Sequence, residues 1–236
     1  MTQLRHVPQR VLAVYAHPDD PEVSCGATLA RWAAAGAEVH VVLATRGEKG
    51  TTDPATDPAE LADVRAGEVA AAAAVLGLAG VHSLGHDDGE LDGGPTLRAE
   101  VVAIVRRIRP DTVVCPDPTA TFFGDGYVSH ADHRAIGWAT LDAVAPAAAL
   151  PLYVPEAGAP HAVTTVLLSG TLEPDVWFDV EDVLPTKAEA MRCHRSQLGD
   201  EGVELDELVR ARAEDEGRRA GLRAAEGFRR LRLGGH

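Results

Sequence analysis

Ala16-His17-Pro18-Asp19-Asp20 puts an imidazole and two adjacent carboxylates directly after the apolar run Val11-Leu12-Ala13-Val14-Tyr15. Imidazole and carboxylate together suit a borderline metal such as zinc. Two neighbouring Asp residues also permit a division of labour, one on metal and one handling protons. His17 and Asp20 stand three apart, so a tight turn aims both at one centre while Asp19 points elsewhere. This spacing assigns His17 and Asp20 to metal and Asp19 to general base. A helix-capping role accounts for one Asp but not for a His and two Asp together.

A second cluster, Ser129-His130-Ala131-Asp132-His133, lies more than a hundred residues downstream, beyond the strand-like run Thr112-Val113-Val114-Cys115. Ser129 with Asp132 fits the S-x-x-D form of a capping box. Such a cap has no use for His130 and His133, which share a helix face. One of these histidines would complete a His₂-carboxylate set with a position open for water. The other would meet a developing oxyanion or protonate a leaving amine. Asp132 between them would orient an imidazole by hydrogen bond. The chemistry implied is that of a metal-dependent hydrolase.

The elements that must position these residues follow from periodicity. Val11–Tyr15 reads as a fully buried strand, residues 28–35 as a helix closed by Gly36, and 38–44 as a second strand. Residues 59–76 are Ala-rich and helical up to Gly77. Val81–Leu84 is a short strand, and 96–109 a helix stopped before Pro110. Further on, 163–168 and 176–180 read as strands, 182–196 as a helix and 204–230 as a charged amphipathic helix. Alternating strands and helices predict an α/β fold: a Rossmann-like, open, mostly parallel sheet with helices on both faces. Ligands of such sheets bind beyond the carboxyl ends of the strands. The loops there, 16–26, 45–58, 85–95 and 116–129, hold nearly all the unusual polar residues. With no repeat and no Gly/Ser-rich linker, residues 1–236 read as a single domain.

Composition sets the bounds. The chain has 22 Lys and Arg against 36 Asp and Glu, a formal charge of −14. That balance opposes nucleic acid or an anionic membrane as a general partner. Hydrophobic content of 45% and a mean hydropathy of −0.07 describe an ordinary soluble globule. No run is long enough to span a bilayer, and MTQLRHVPQR lacks the apolar centre of a signal peptide. Cys25, Cys115 and Cys193 are scattered and odd in number, which suits a reducing compartment. The expected location is cytoplasmic. Trp32, Trp138 and Trp177 read as core residues. His194 is equally compatible with a place at the site and with helix packing.

These residues carry a resemblance to the LmbE/PIG-L family of zinc-dependent N-deacetylases and amidases. The shared stretches are AHPDD at 16–20, CGATLA at 25–30, Thr45-Arg46-Gly47-Glu48, Arg65 and Glu68, Asp88-Gly89 with Leu91, and His130-Ala131-Asp132-His133. Lys187, His194, Ser196 and Gln197 resemble a K…H-x-S-Q stretch near the C-terminus. Family members remove acetyl groups from N-acetylglucosamine conjugates, including precursors of mycothiol, bacillithiol and glycosylphosphatidylinositol. The resemblance implies Zn²⁺ on His17, Asp20 and His133, with Asp19 as the base that activates water. His130 would stabilise the oxyanion or act as acid, and Asp132 would orient His130. Arg65 and Asp88 would contact the sugar. The implied partner is a small N-acyl amino-sugar conjugate, and the family often forms homo-oligomers. Three departures stand out. Pro21 precedes Glu22, HADH replaces the commoner HPDH, and Val128 stands where the mycothiol-type enzyme has a Tyr, with Tyr127 one place back.

Two other readings compete. A sugar-binding protein without activity could keep the same scaffold. A nucleotide-binding or glycosyl-transfer protein would need a glycine-rich phosphate loop, which the segment HPDDPEVSCGA does not supply. A Ser/His/Asp triad has no G-x-S-x-G elbow to support it.

Overall fold

The computed structural model describes residues 2–4, 6–198 and 202–234. The strands in chain order are β1 (Thr2–Gln3), β2 (Arg10–Tyr15), β3 (Glu38–Thr45), β4 (Gly80–His86), β5 (Thr112–Pro116), β6 (Phe122–Phe123), β7 (Tyr127–Val128), β8 (Thr165–Ser169), β9 (Val176–Asp179) and β10 (Ala225–Arg232). The helices are α1 (Asp20–Ala34), α2 (Pro58–Leu76), α3 (Pro95–Ile108), α4 (Ala131–Val144), α5 (Leu184–Arg192), α6 (Arg195–Leu198) and α7 (Gly202–Ala220).

Eight of the strands form one sheet in the order β1-β9-β10-β8-β5-β2-β3-β4, and β6 with β7 makes a separate hairpin. The pairs β2–β3, β2–β5, β3–β4 and β5–β8 are parallel. Only β10 runs antiparallel to its neighbours β8 and β9. Successive side chains of a strand point to opposite faces, and β2 is buried on both. Val11, Ala13 and Tyr15 pack with α1, α5 and α7 through Leu29, Trp32, Met191 and Val209. Leu12 and Val14 pack with α3 and α4 through Val101, Val105, Ile136 and Ala139. Helices therefore cover both faces, and β2 ends at the carboxyl edge between β5 and β3. No helix among the described residues is long and apolar enough to cross a membrane.

Three expectations need correction. The first helix does not begin at residue 28. It starts at Asp20, with Pro21 in its first turn, and kinks at Cys25, where φ is −149° and ψ 21°. Pro is tolerated in the first turn because its missing N–H would have no intrahelical partner there anyway.

The charged segment 204–230 is not one helix. α7 ends at Ala220, Gly221 turns the chain with φ 73°, and residues 225–232 join the sheet. Its buried Ala225 and Phe228 serve the core while its arginines lie toward the surface. The Arg/Glu mixture hid a short strand inside a helix-like composition. Trp32 and Trp177 are buried as expected, but Trp138 is half exposed on α4.

Candidate active site

The end of β2 is closed by its own carboxylate. The N–H groups of Asp19 and Asp20 both donate to the His17 carbonyl, at 3.1 and 3.3 Å. The His17 N–H in turn donates to Asp20 Oδ2 at 2.8 Å. This tight turn brings His17 Nδ1 within 3.3 Å of Asp20 Oδ2. The second half arrives from β5 by way of the β6–β7 hairpin. His130 caps α4, its Nδ1 accepting the Asp132 N–H at 3.2 Å. The cap expected from Ser129 is thus supplied by an imidazole. One turn into the helix, His133 Nε2 stands 3.1 Å from Asp20 Oδ1 and 3.2 Å from His17 Nδ1.

The two imidazole nitrogens lie 3.2 Å apart, and each faces a different oxygen of Asp20, Oδ2 at 3.3 Å from His17 and Oδ1 at 3.1 Å from His133, so the three residues form a triangle. Ligand atoms on a zinc tetrahedron with ordinary bond lengths lie about 3.3–3.6 Å apart. One ligand atom from each of the three residues lies within 4.8 Å of the others, close enough to converge on one ion, and two nitrogens with one carboxylate suit zinc. The same spacing holds for His17, His130 and Asp132.

The other nitrogen of His17 is held from behind. Its Nε2 lies 3.1 Å from Asp88 Oδ1 and 3.3 Å from Asp132 Oδ2. Asp132 is fully buried and also accepts the N–H groups of Gly89 (2.7 Å) and Leu91 (3.2 Å). Two carboxylates at Nε2 keep a proton on that atom, so that when the ring is neutral its lone pair is on Nδ1, facing Asp20 and His133. Asp132 thus orients His17 more directly than His130, whose Nδ1 is 4.0 Å away.

Charge follows this geometry. Burial disfavours the His17 imidazolium, but the hydrogen bonds and charges of Asp20 and Asp88 outweigh it and push the pKa up to about 10. Burial likewise opposes the Asp20 charge, yet the two histidines hold its carboxyl far below the usual range. The hydrogen bond from His17 also holds Asp88 low.

Asp19 pairs with Arg65, outside the set of His17, Asp20 and His133. Its Oδ1 lies 3.1 Å from Arg65 Nη2. Burial and the Asp20 charge raise its pKa to about 6, against the opposing charges of Arg65, His194 and His17. Arg65 is only 3% exposed, and its Nη1 donates to the Gly47 carbonyl at 2.8 Å. Asp88 is also buried, with its N–H on Glu48 Oε1 at 2.9 Å. The two residues implied as sugar contacts are therefore engaged with the site's own groups.

His130 is the exposed imidazole of the group, its side chain 45% accessible, edge-on to His17 at 4.8 Å. Burial and the neighbouring His17 charge lower its pKa. Because its Nδ1 accepts a hydrogen bond, the neutral ring carries its proton on Nε2. His194 is fully buried, with Nε2 3.3 Å from Glu22 Oε2 and no hydrogen bond at either nitrogen. Tyr127 is half exposed on β7. Of the His86-Asp87-Asp88 run, only Asp88 reaches the site; His86 pairs with Glu100 and Asp87 with Arg46. Glu48, for which sequence reasoning assigned no role, props the Asp88 backbone. Its sole signal was its place beside Thr45-Arg46-Gly47 in the shared stretches.

Residues 12–144 match the PIG-L family model, described as GlcNAc-PI de-N-acetylase. The diacetylchitobiose deacetylase of Thermococcus kodakarensis is 35% identical over 94% of this chain and 82% of its own length. A 1D-myo-inositol 2-acetamido-2-deoxy-alpha-D-glucopyranoside deacetylase of Kineococcus radiotolerans is 36% identical over 60% of this chain, which spans 46% of that longer relative. Among solved structures, the N,N'-diacetylchitobiose deacetylase of Pyrococcus horikoshii, complexed with its inhibitor MPG, superposes with a TM-score of 0.87. That match has 32% identity and covers 95% of this chain and 84% of the other. The matched span holds the His17–Asp20 turn, Arg65, Asp88 and His133 together, and on that span the chain belongs to the PIG-L family.

Proposed function

We propose that the chain is a zinc-dependent N-deacetylase that removes the acetyl group from an N-acetylglucosamine conjugate. The observation that carries this reading is the triangle of His17 Nδ1, Asp20 and His133 Nε2. Two segments more than a hundred residues apart converge there, with one ligand atom of each residue within 4.8 Å of the others. His17, Asp20 and His133 would hold the ion, which when bound supplies water of lowered pKa and a polarised amide carbonyl. The relatives named for diacetylchitobiose and for a GlcNAc–inositol indicate the substrate class.

The chain's own groups divide the proton work. Asp19, with its pKa pushed up to about 6, is ionised at neutral pH yet basic enough to accept a proton. Arg65 occupies Oδ1, so Oδ2 is the atom that takes the proton from water. His130 presents Nε2–H to the side where the tetrahedral oxyanion develops. A neutral donor of this kind stabilises the oxyanion but is a poor acid, since losing Nε2–H would leave an imidazolate. The proton for the departing amine therefore comes from Asp19, which collected it in the first step.

The test is acetate release from N,N'-diacetylchitobiose and from a GlcNAc–inositol by zinc-loaded protein, beside His17→Ala, His133→Ala and Asp19→Asn. Activity in wild type alone, with about one zinc per chain lost in both His variants, supports the proposal. Stoichiometric zinc with sugar binding but no acetate release would make the chain a binding protein instead.

A further inference from the structure

The β6–β7 hairpin ends two residues before His130 and shows apolar side chains to water. Phe122 is 67% exposed and Val128 60%. Phe122 pairs with Val128, and Phe123 with Tyr127, across the loop Gly124-Asp125-Gly126. Successive side chains of a strand point to opposite faces, so these two pairs lie on opposite sides of the hairpin. The pairing continues past β7, where the Ser129 N–H donates to the Thr121 carbonyl at 2.8 Å. His130 keeps an extended backbone, with φ −56° and ψ 145°. Ser129 is buried while Val128 and His130 are exposed. Val128 and His130 therefore face the same way, and Phe122 stands across from Val128 on that face. Strand geometry places Val128 about 7 Å along from His130 and Phe122 about 5 Å to the side of Val128. A Cβ added at Gly124 or Gly126 would meet nothing within 4 Å, so the loop tip stands clear of its surroundings. The hairpin is thus a free-standing apolar wall that leads up to an imidazole of the site.

We propose that Phe122, backed by Val128, is a specificity residue: its ring stacks on the second pyranose of a disaccharide substrate, the ring bonded to the N-acetylglucosamine that loses its acetyl group. The inference rests on the deacetylase reading above. Arg65 and Asp88, the positions implied for the reacting sugar, come from α2 after β3 and from the end of β4. The sheet sets β3 and β4 on one side of β2 and β5 on the other. The hairpin follows β5, so it flanks the site on the side away from those two residues. A reacting sugar held there, with its acetamide beside His130, leaves the hairpin side to the next ring. The C–H face of a pyranose is apolar, and an aromatic ring takes it by dispersion with no hydrogen bond required. An apolar patch continuous with catalytic groups is a ligand surface rather than surplus packing.

The experiment compares steady-state acetate release from N,N'-diacetylchitobiose and from N-acetylglucosamine by zinc-loaded wild type, Phe122→Ala, Phe122→Tyr and Tyr127→Ala. Zinc content and circular dichroism are measured on each. Expected is a wild-type preference for the disaccharide in kcat/KM that falls about tenfold in Phe122→Ala, through a raised KM on the disaccharide. Phe122→Tyr should keep the preference, because the aromatic face remains. Tyr127→Ala, on the opposite face, should leave the ratio as in wild type. A preference unchanged in Phe122→Ala would overturn the proposal, as would a wild type with no preference. An equal fall in kcat on both substrates would also overturn it, since the hairpin would then serve only to hold His130. The same loss in Tyr127→Ala as in Phe122→Ala would do so too. If Phe122→Ala fails to fold, Phe122→Leu, which keeps apolar volume without a ring, decides by the same ratio. No acetate from either substrate with wild type is a separate failure, that of the deacetylase reading. Calorimetric titration with diacetylchitobiose then decides the stacking alone: binding about tenfold weaker in Phe122→Ala supports it, and equal binding overturns it.

Discussion

Asp132 Oδ2 lies 3.3 Å from His17 Nε2, although the two residues are 115 positions apart. The contact joins the two motifs from behind the donor triangle. Asp132 is itself fixed by the N–H groups of Gly89 and Leu91, so its carboxylate cannot drift. Replacing it by Ala removes a hydrogen bond that sets the His17 tautomer and leaves two backbone N–H groups unpaired. Zinc affinity should fall by about 10- to 100-fold, measured by competition with a chromophoric chelator. Affinity unchanged from wild type would mean that Asp88 alone suffices to orient the ring.

The same surroundings make metal uptake proton-linked. In the metal-free protein the His17 pKa is pushed up to about 10, so at pH 7.5 the ring is protonated. A ligand must be neutral, and binding must release that proton. The sign is fixed by the raised pKa: zinc affinity should rise with pH up to about 10, and metal-free stability from this group, full below about 6.5, should be lost over the same window. Calorimetric titration of zinc in two buffers of different ionisation enthalpy should give about one released proton per ion at pH 7.5. A release near zero would mean that His17 is already neutral.

His130 gives a third prediction. Its Nδ1 accepts the Asp132 N–H, which leaves Nε2–H as the donor on the exposed side. His130→Ala should lower kcat by about 100- to 1,000-fold, the usual cost of one oxyanion donor, with zinc content unchanged. His130→Gln, which keeps a side-chain N–H, should retain part of the rate. Loss of zinc in His130→Ala would instead place this residue among the ligands, in the company of His17 and Asp132.

These residues show what the sequence made legible. A strand running into His17, Asp19 and Asp20 is a local pattern, and so is a helix opening with His130 and His133. Both are readable because strand ends and helix starts are set by short-range periodicity. Partners across the sheet edge are another matter. Nothing local says that Asp132 meets His17 rather than His130, or that Arg65 ends on Asp19, because those contacts depend on how β2, β4 and β5 stagger. The C-terminal strand was hidden for a related reason. Its one large buried apolar residue, Phe228, sits in a run of Glu and Arg that reads as a helix surface. Only the antiparallel slot between β8 and β9 gives that run its extended form.

That hidden strand carries the last prediction, through Glu226. Its Oε2 accepts the Thr28 N–H (2.8 Å) and hydroxyl (2.6 Å), while Oε1 accepts the Ala27 N–H (3.3 Å) and Lys187 Nζ (2.7 Å). The carboxylate thus caps α1 where it restarts after the kink at Cys25, the helix whose first residue is Asp20. Both side chains of the pair are about nine-tenths buried. Removing one partner strands the other charge, so Glu226→Ala should destabilise the protein by about 3–5 kcal/mol, read as a lower midpoint in urea. Lys187→Met should cost less, because Glu226 keeps its three bonds to α1. Converting both to apolar residues should not restore wild-type stability, since the Ala27 and Thr28 N–H groups would stay buried without an acceptor. Full recovery in a Lys187→Met/Glu226→Leu variant would show that the ion pair, and not the helix cap, sets the stability at this point.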